Sequence, residues 1–257
     1  MCILFIAVNQ HPKYPLIIAA NRDEFHQRPT AVSHFWPNHS DLLAGKDLEA
    51  GGTWMGMNKQ GRIAALTNIR APGKERENAI TRGELVTHFL TDNNSNSEYL
   101  ARLQNTHEQY NGYNLLYGDV KDLHVYNNFE NAVYTLGDGV YGLSNASLDI
   151  PWPKIDAGKK ALADYCQHAD TLSHEHLFTL LNNSQAASDD ILPKTGIPIE
   201  WERKLSSIFI QSENYGTRSS TVLLIDNNNH CYWEERTFTP QAKLSDTQVF
   251  EFDLQNR

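Results

Sequence analysis

The sequence predicts an α+β protein in which sheets are covered by separate helical layers. Three features predict it. Short apolar runs bounded by turn residues fall in three groups, within 3–67, 113–144 and 205–254, and runs of that length read as buried strands rather than helices. Between these groups apolar residues recur at helical spacing, at 85–103 and again at 155–181. Strand blocks alternating with helix pairs suit sheets that each carry their own helical cover. Finally, no Pro/Gly/Ser linker, internal repeat or low-complexity run interrupts the 257 residues, so a single domain over 1–257 is expected.

The first two strands are expected at Ile3 to Val8 and Leu16 to Ala20, joined by the polar turn Asn9-Gln10-His11-Pro12-Lys13-Tyr14. The polar block Asn21-Arg22-Asp23-Glu24 closes the second strand. Gly52 to Met57 and Arg62 to Thr67 flank the compact turn Asn58-Lys59-Gln60-Gly61 and should pair. The charged stretch from Ala71 to Asn78 carries Pro and Gly and reads as a loop, a candidate flap. Thr81-Arg82-Gly83-Glu84 has capping-box spacing and should open a helix with Leu85, Val86, Phe89 and Leu90 on one side. A second helix is expected around Ser97 to Tyr110, burying Tyr99, Leu100 and Leu103.

Strands resume at Tyr113 to Tyr117, Leu123 to Tyr126, Ala132 to Leu136 and Val140 to Ser144. After Pro153 the residues Ile155, Gly158, Leu162, Tyr165 and Cys166 lie at helical spacing, and Leu177, Leu180 and Leu181 mark another helix. The last strands are expected at Leu205 to Gln211, Ser219 to Ile225, Cys231 to Glu235 and Val249 to Leu254.

Composition narrows the function classes. A formal net charge of −9 argues against nucleic acid as a partner, because affinity for phosphate backbones comes from clustered Lys and Arg. Cys2, Cys166 and Cys231 are too far apart for a disulfide framework or a zinc site, and the spacing of His174-Glu175-His176 does not suit a helical zinc site, so no metal is expected. There is no run near the ~20 residues that span a bilayer and no positive segment before the first apolar run, so a cytoplasmic protein without a transmembrane segment is expected. Phosphate-binding glycine motifs and a C-x-x-C-H haem attachment site are absent.

Cys2 is the first candidate for chemistry. Once Met1 is removed, this residue would carry both a thiol, with a pKa near ~8.5, and an α-amine near ~7.7–8.0 able to take its proton. Nucleophile and base then sit in one residue. The plainer alternative is a small second residue after Met that occurs by chance.

The block Asn21-Arg22-Asp23-Glu24 resembles the signature of the NRDE family, the Transport and Golgi organisation 2 homologues. Further matching segments are Ala50-Gly51-Gly52-Thr53-Trp54, Leu66-Thr67-Asn68-Ile69-Arg70, Gly142-Leu143-Ser144-Asn145 with Pro151-Trp152-Pro153, and Tyr215-Gly216-Thr217-Arg218-Ser219-Ser220-Thr221. The resemblance runs from Met1 to about Ile225. It implies a four-layer α-β-β-α sandwich of the N-terminal nucleophile (Ntn) hydrolase type. By that resemblance Arg22 occupies the place of the second-strand arginine beside the N-terminal thiol, with an ion pair to Asp23 or Glu24 as its alternative. Asn68 and Asn145 match amide side chains near an oxyanion, or else are strand-end turn residues. Arg218 would contact a substrate carboxylate or pair with an internal Asp. Choloylglycine-type hydrolases carry an aspartate three residues after that arginine, where this chain has Phe25; Asp23 and Glu24 are close but are expected to face differently.

Two functions follow from the resemblance, whose members have been implicated in intracellular haem trafficking and in lipid or acyl-CoA metabolism. The first is handling of an amphipathic ligand, haem or an acyl conjugate, with no cofactor required and transient protein partners for ligand transfer. Asn21, Arg22, Asp23 and Glu24 would meet its polar end, while Trp54, Trp152 and the Met55/Met57 pair would line an apolar wall. The second is an N-terminal cysteine amidohydrolase acting on a C–N amide bond, with Cys2, Arg22, Asn68, Asn145 and Arg218 as its catalytic set.

Overall fold

The computed structural model describes residues 2–255. The chain opens with a hairpin of β1 (Cys2–His11) and β2 (Tyr14–Phe25), followed by β3 (Thr30–Trp36), β4 (His39–Asp47), β5 (Met55–Asn58) and β6 (Ile63–Asn68). Helices α1 (Gly83–Thr91) and α2 (Asn96–Thr106) lead to β7 (Tyr113–Asp119), β8 (Asp122–Asn127), β9 (Ala132–Leu136) and β10 (Gly139–Leu143). Then come α3 (Pro153–His168), α4 (His174–Leu181), α5 (Ile199–Lys204) and the strands β11 (Tyr215–Ile225), β12 (His230–Phe238) and β13 (Leu244–Asp253).

The strands form two antiparallel sheets, ordered β10-β1-β2-β11-β12-β13 and β3-β4-β5-β6-β7-β8-β9. Alternation along β1 explains how they stack. Cys2, Leu4, Ile6 and Val8 face the second sheet, where they meet Met55, Met57, Ile63 and Leu116. Ile3, Phe5 and Ala7 face the other way, onto Ile155 and Leu162 of α3 and Leu177 and Leu181 of α4. The second sheet is covered in turn by α1 and α2, with Leu85, Phe89, Tyr99 and Leu103 packed on Ala64, Leu115 and Tyr117. The layers are therefore α-β-β-α, the sandwich that the resemblance implies. No helix among the described residues is long and apolar enough to cross a membrane.

Three local expectations are corrected. Thr81 does not cap α1: the helix begins after Arg82, which has no side-chain cap, and the capping box sits one helix later, between Ser95 and Glu98. Strands β3 and β4 have no counterpart in the sequence reading, because β3 is a half-buried edge strand whose apolar run is broken by Ser33 and His34. Leu205 to Gln211 is not a strand. Leu205 ends the short helix α5, and the following backbone is satisfied piecemeal: Phe209 N–H donates to the Asn183 carbonyl (2.8 Å) and Ile210 N–H to Thr217 Oγ1 (2.9 Å). Its apolar residues are buried, so their pattern alone mimics a strand.

One packing contact gives a sharp test. Gly158 of α3 lies against the Phe5 ring, and a Cβ there would sit 2.0 Å from Phe5 Cζ. On helix propensity alone Gly→Ala gains up to about 1 kcal/mol, whereas overpacking costs typically ~1–3 kcal/mol. Gly158→Ala is expected to lower the urea midpoint; a raised midpoint would mean that α3 does not press on β1 at this point.

Candidate functional site

A cavity of about 240 Å3 opens where β1 and β2 end against the second sheet. From the hairpin come Cys2, Arg22, Asp23 and Glu24; from the second sheet and its approach, Thr53, Trp54, Leu66 and Asn68. The segment Ala79 to Gly83 before α1 closes one side, and Arg28 with Asp47 stands at another.

Hairpin register sets the centre. Cys2 is the Cα partner of Arg22, and both point into the space between the sheets. The Arg22 guanidinium lies 4.3 Å from the centroid of Trp54, and its Nη1, although buried, has no hydrogen-bond partner among the described residues. A buried charged donor left unpaired is costly, and here it faces a cavity. Burial pushes the Cys2 thiol up; Asp23 and Glu24 add to that, while Arg22 opposes it. The protonated thiol is therefore the resting form near neutral pH. Met1, whose removal the N-terminal amine mechanism requires, lies outside the described residues.

Asp23 joins the same cavity, contrary to the expectation from strand alternation. Asp23 is the Cα partner of Thr217, next to a register shift in β11 between Thr217 and Ser219. The Asp23 carboxylate accepts from Thr217 Oγ1 (2.7 Å). Burial raises its pKa to about 6, against the pull of Lys154, the Thr217 hydroxyl and Arg22. Glu24 Oε1 takes the Phe25 N–H at 2.8 Å.

Asn68 lines the cavity, but Asn145 braces it from behind. Asn145 Nδ2 donates to the Asn68 carbonyl (2.9 Å), and its own carbonyl accepts the Arg70 N–H (2.8 Å). The Ser144 hydroxyl lies within bonding distance of both Asn145 Oδ1 (3.1 Å) and the Cys2 carbonyl (3.3 Å). The ends of β1, β6 and β10 are thereby tied together.

Three sequence candidates are not brought to the cavity. Asn21 falls on the helix-facing side of β2, where its amide donates to the Leu181 and Ile208 carbonyls (2.8 and 3.0 Å) and accepts from Ser220 Oγ. Arg218 occupies the irregularity in β11 and clasps the β2–β3 turn, donating to the Phe25 and Arg28 carbonyls (2.9 and 3.1 Å). Trp152 caps α3 and lies under the Arg70 guanidinium, 5.0 Å from its centroid, outside the lining. Of the expected apolar wall only Trp54 lines this cavity; Met57 is buried between the sheets, 3.3 Å from Cys231 Sγ.

Sequence reasoning missed Arg82 and Arg28. Arg82, read as part of a helix cap, is half-buried beside the cavity and donates to the Gly112 carbonyl (3.0 Å); burial lowers its pKa. Arg28 is held by Asp47 (2.7 Å) and Glu49 (3.1 Å). Arg28 lies four residues past the signature block and Arg82 inside a stretch read as a helix cap, so neither was singled out as a site residue. A buried ion pair, Arg70 to Glu202 at 2.6 Å, and the buried Lys154 stand behind Asp23 and were missed as well.

Comparison with known proteins agrees with this picture. The family model for Transport and Golgi organisation 2 matches residues 1–240. The mouse Transport and Golgi organization 2 homolog is 36% identical over 281 residues, covering 100% of both chains. The human homolog is 36% identical over 277 residues, again with 100% of both chains covered, and the Drosophila melanogaster protein 30% over 285 residues, covering 100% of this chain and 99% of its own. Among solved structures, the C2A mutant of a conjugated bile acid hydrolase from Clostridium perfringens has a TM-score of 0.54 at 12% identity, covering 99% of this chain and 92% of that one. A Caenorhabditis elegans N-acylethanolamine-hydrolyzing acid amidase ortholog has a TM-score of 0.51 at 12% identity, with 87% and 92% covered. At such identity these two share the Ntn-hydrolase fold and nothing finer.

The wall behind Arg22 carries a pH-dependent cost. Glu235 of β12 is buried, accepts the Ser33 N–H of the other sheet (2.6 Å), and has its carboxyl raised by burial to about 7 against the pull of Ser33 and Arg22. With its pKa above the unfolded value, its stabilising contribution is full below that value and is lost as pH rises through about 7. Glu235→Gln should therefore gain on wild type between about pH 5 and about pH 8, by on the order of 1–3 kcal/mol. Urea unfolding at both pH values checks this; an unchanged difference between the two proteins would contradict it.

Proposed function

Because the chain belongs to the Transport and Golgi organisation 2 family, we propose that it handles an amphipathic ligand whose anionic end enters the Cys2 cavity. The observation that carries this is the buried Arg22 Nη1, unpartnered among the described residues, with Arg82 also lining the cavity. A carboxylate or phosphate oxygen is the natural partner for such a group. Size supports the same reading. About 240 Å3 falls below the ~300–1,000 Å3 of pockets that engulf a whole ligand. The cavity suits a head group, and an apolar body would lie across the mouth. Exposed Phe25, Leu48 and Ile80 each lie at or next to a lining residue, where they would meet that body. Haem would enter by its propionates; an acyl conjugate would enter by its polar end. Affinity near micromolar, roughly 8 kcal/mol, would let a carrier release its cargo to a transient partner.

A second reading, hydrolysis of a C–N amide bond, is favoured by the placing of Cys2, Arg22 and Asn68 around one cavity. After removal of Met1, the thiol would add to the amide carbonyl carbon, its proton passing by way of the α-amine to the leaving nitrogen as the C–N bond breaks. Water would then release the acyl group from sulfur.

The two readings separate in one comparison of wild type, Arg22→Ala and Cys2→Ala. Haem titration and hydrolysis of N-acyl amino acids are measured side by side. Ligand handling predicts binding without turnover, weakened roughly 10- to 100-fold in Arg22→Ala, as for loss of a charge-assisted hydrogen bond worth ~1.5–3 kcal/mol. Turnover that vanishes in Cys2→Ala, with no haem bound, would replace it with the hydrolase reading.

A further inference from the structure

Arg22 is only 6% exposed, and its Nη1 has no hydrogen-bond partner among the described residues. The guanidinium instead lies over a ring: its Cζ is 4.3 Å from the centroid of Trp54, and both residues line the Cys2 cavity. An aromatic face attracts a cation through its quadrupole but takes up none of the five guanidinium donors. A carboxylate in the same place would occupy two of them in a fork-to-fork pair. The ring therefore steadies the charge and leaves the N–H edge for another group.

The seat of that ring is built into the second sheet. Gly45 lies two residues after Leu43 on β4, on the face turned toward the first sheet. A Cβ on Gly45 would sit 2.4 Å from Trp54 Cη2 and 2.5 Å from Cζ2, so the indole fills the space that a side chain at 45 would need. The backbone under Trp54 is pinned on two sides. Its carbonyl accepts the Leu66 N–H of β6 (2.8 Å), and the Thr53 N–H donates to the Gly83 carbonyl at the start of α1 (3.3 Å). Ring and guanidinium thus meet from opposite sheets, each on fixed backbone, since Arg22 is held in register by Cys2 on one side and Ser219 on the other.

We propose that Trp54 is a positioning residue for the candidate site: its indole, seated over Gly45, clamps the Arg22 guanidinium in the cavity wall and leaves Nη1 available to an anionic head group. The proposal rests on the reading of this cavity as the ligand site and deepens it, because it assigns Trp54 to the arginine rather than to the ligand's apolar body. With the arginine held in advance, binding an anion does not first have to order a long, rotamer-rich side chain.

Proton–nitrogen NMR of the guanidinium tests the clamp without any ligand. In wild type the Arg22 Nε–H proton, assigned by its loss in Arg22→Lys, should be moved upfield by the ring current of Trp54. Trp54→Phe should keep part of that shift, while Trp54→Leu and Gly45→Ala should remove it. An Arg22 proton at the position of an exposed arginine in wild type overturns the clamp, whether or not any Trp54 variant folds. Titration with laurate and with lauramide, its uncharged counterpart, then separates a clamp from a wall. Trp54→Leu should weaken laurate about 3- to 30-fold, the range a cation–π contact supports, and leave lauramide unchanged. Added to Arg22→Ala, the same substitution should weaken laurate no further, because its effect runs through the arginine. Equal losses for laurate and lauramide, or a further loss in the double variant, make Trp54 a wall for the apolar body and overturn the positioning role. If neither laurate nor haem binds wild type, the amphipathic-ligand reading itself falls, and the Arg22 proton still decides the clamp.

Discussion

Burial of the β1–β2 hairpin on both faces is the constraint on which the rest of the structure depends. One face packs on the second sheet and the other on α3 and α4. The hairpin lies inside the first sheet, with β10 on one side and β11 on the other, so neither strand can slide without exposing a row of apolar side chains. That rigidity passes to Cys2 and Arg22, which sit opposite each other at the hairpin's end. Asn145 and Ser144 then lash the ends of β6 and β10 to the same point.

The cavity that results is a place where charge is concentrated rather than excluded. Arg28, Asp47 and Glu49 largely satisfy one another at the rim. Arg22, Arg82, Asp23 and Glu24 all line it, and the buried Lys154 and the Arg70–Glu202 pair lie close by. Burying so many ionisable groups is expensive unless each has a partner. Irregular backbone supplies partners for two of them, the Leu205 carbonyl for Lys154 and the Gly112 carbonyl for Arg82. On the ligand-handling proposal, function and fold compete here: an apolar filling would be easier to stabilise, but it would leave nothing with which to grip a polar ligand.

The segment 205–211 illustrates how the two meet. Its apolar residues are buried like those of a strand, yet among the described residues its pairing with a sheet is limited to an isolated bridge from Gln211 to Gly216. Freed from a ladder, its carbonyls and N–H groups serve Lys154, Thr217 and Asn21 instead. Irregular backbone can be buried only when every polar group finds such a substitute.

The sequence by itself determined the layered α+β architecture and most strand and helix positions, while the place of Arg22 beside Cys2 came from the family resemblance. Those properties live in local periodicity and in short segments, and apolar alternation at positions such as Ile3 to Val8 is visible without any partner. Tertiary structure alone decided which polar residues share the cavity. Asn21 and Arg22 are neighbours in sequence, but the pleat turns one toward α4 and the other toward Trp54. Arg218 looked like a ligand contact and became a clasp on a turn, because an irregularity in β11 points it at backbone carbonyls. Arg82, Thr217 and Lys154, separated from Cys2 by 80 to 215 positions of sequence, come near it only once two sheets and their helices have closed. Proximity of that kind has no local sequence signature: it is set by how the layers pack, and side chains at strand ends and in irregular loops obey no period that could be read in advance.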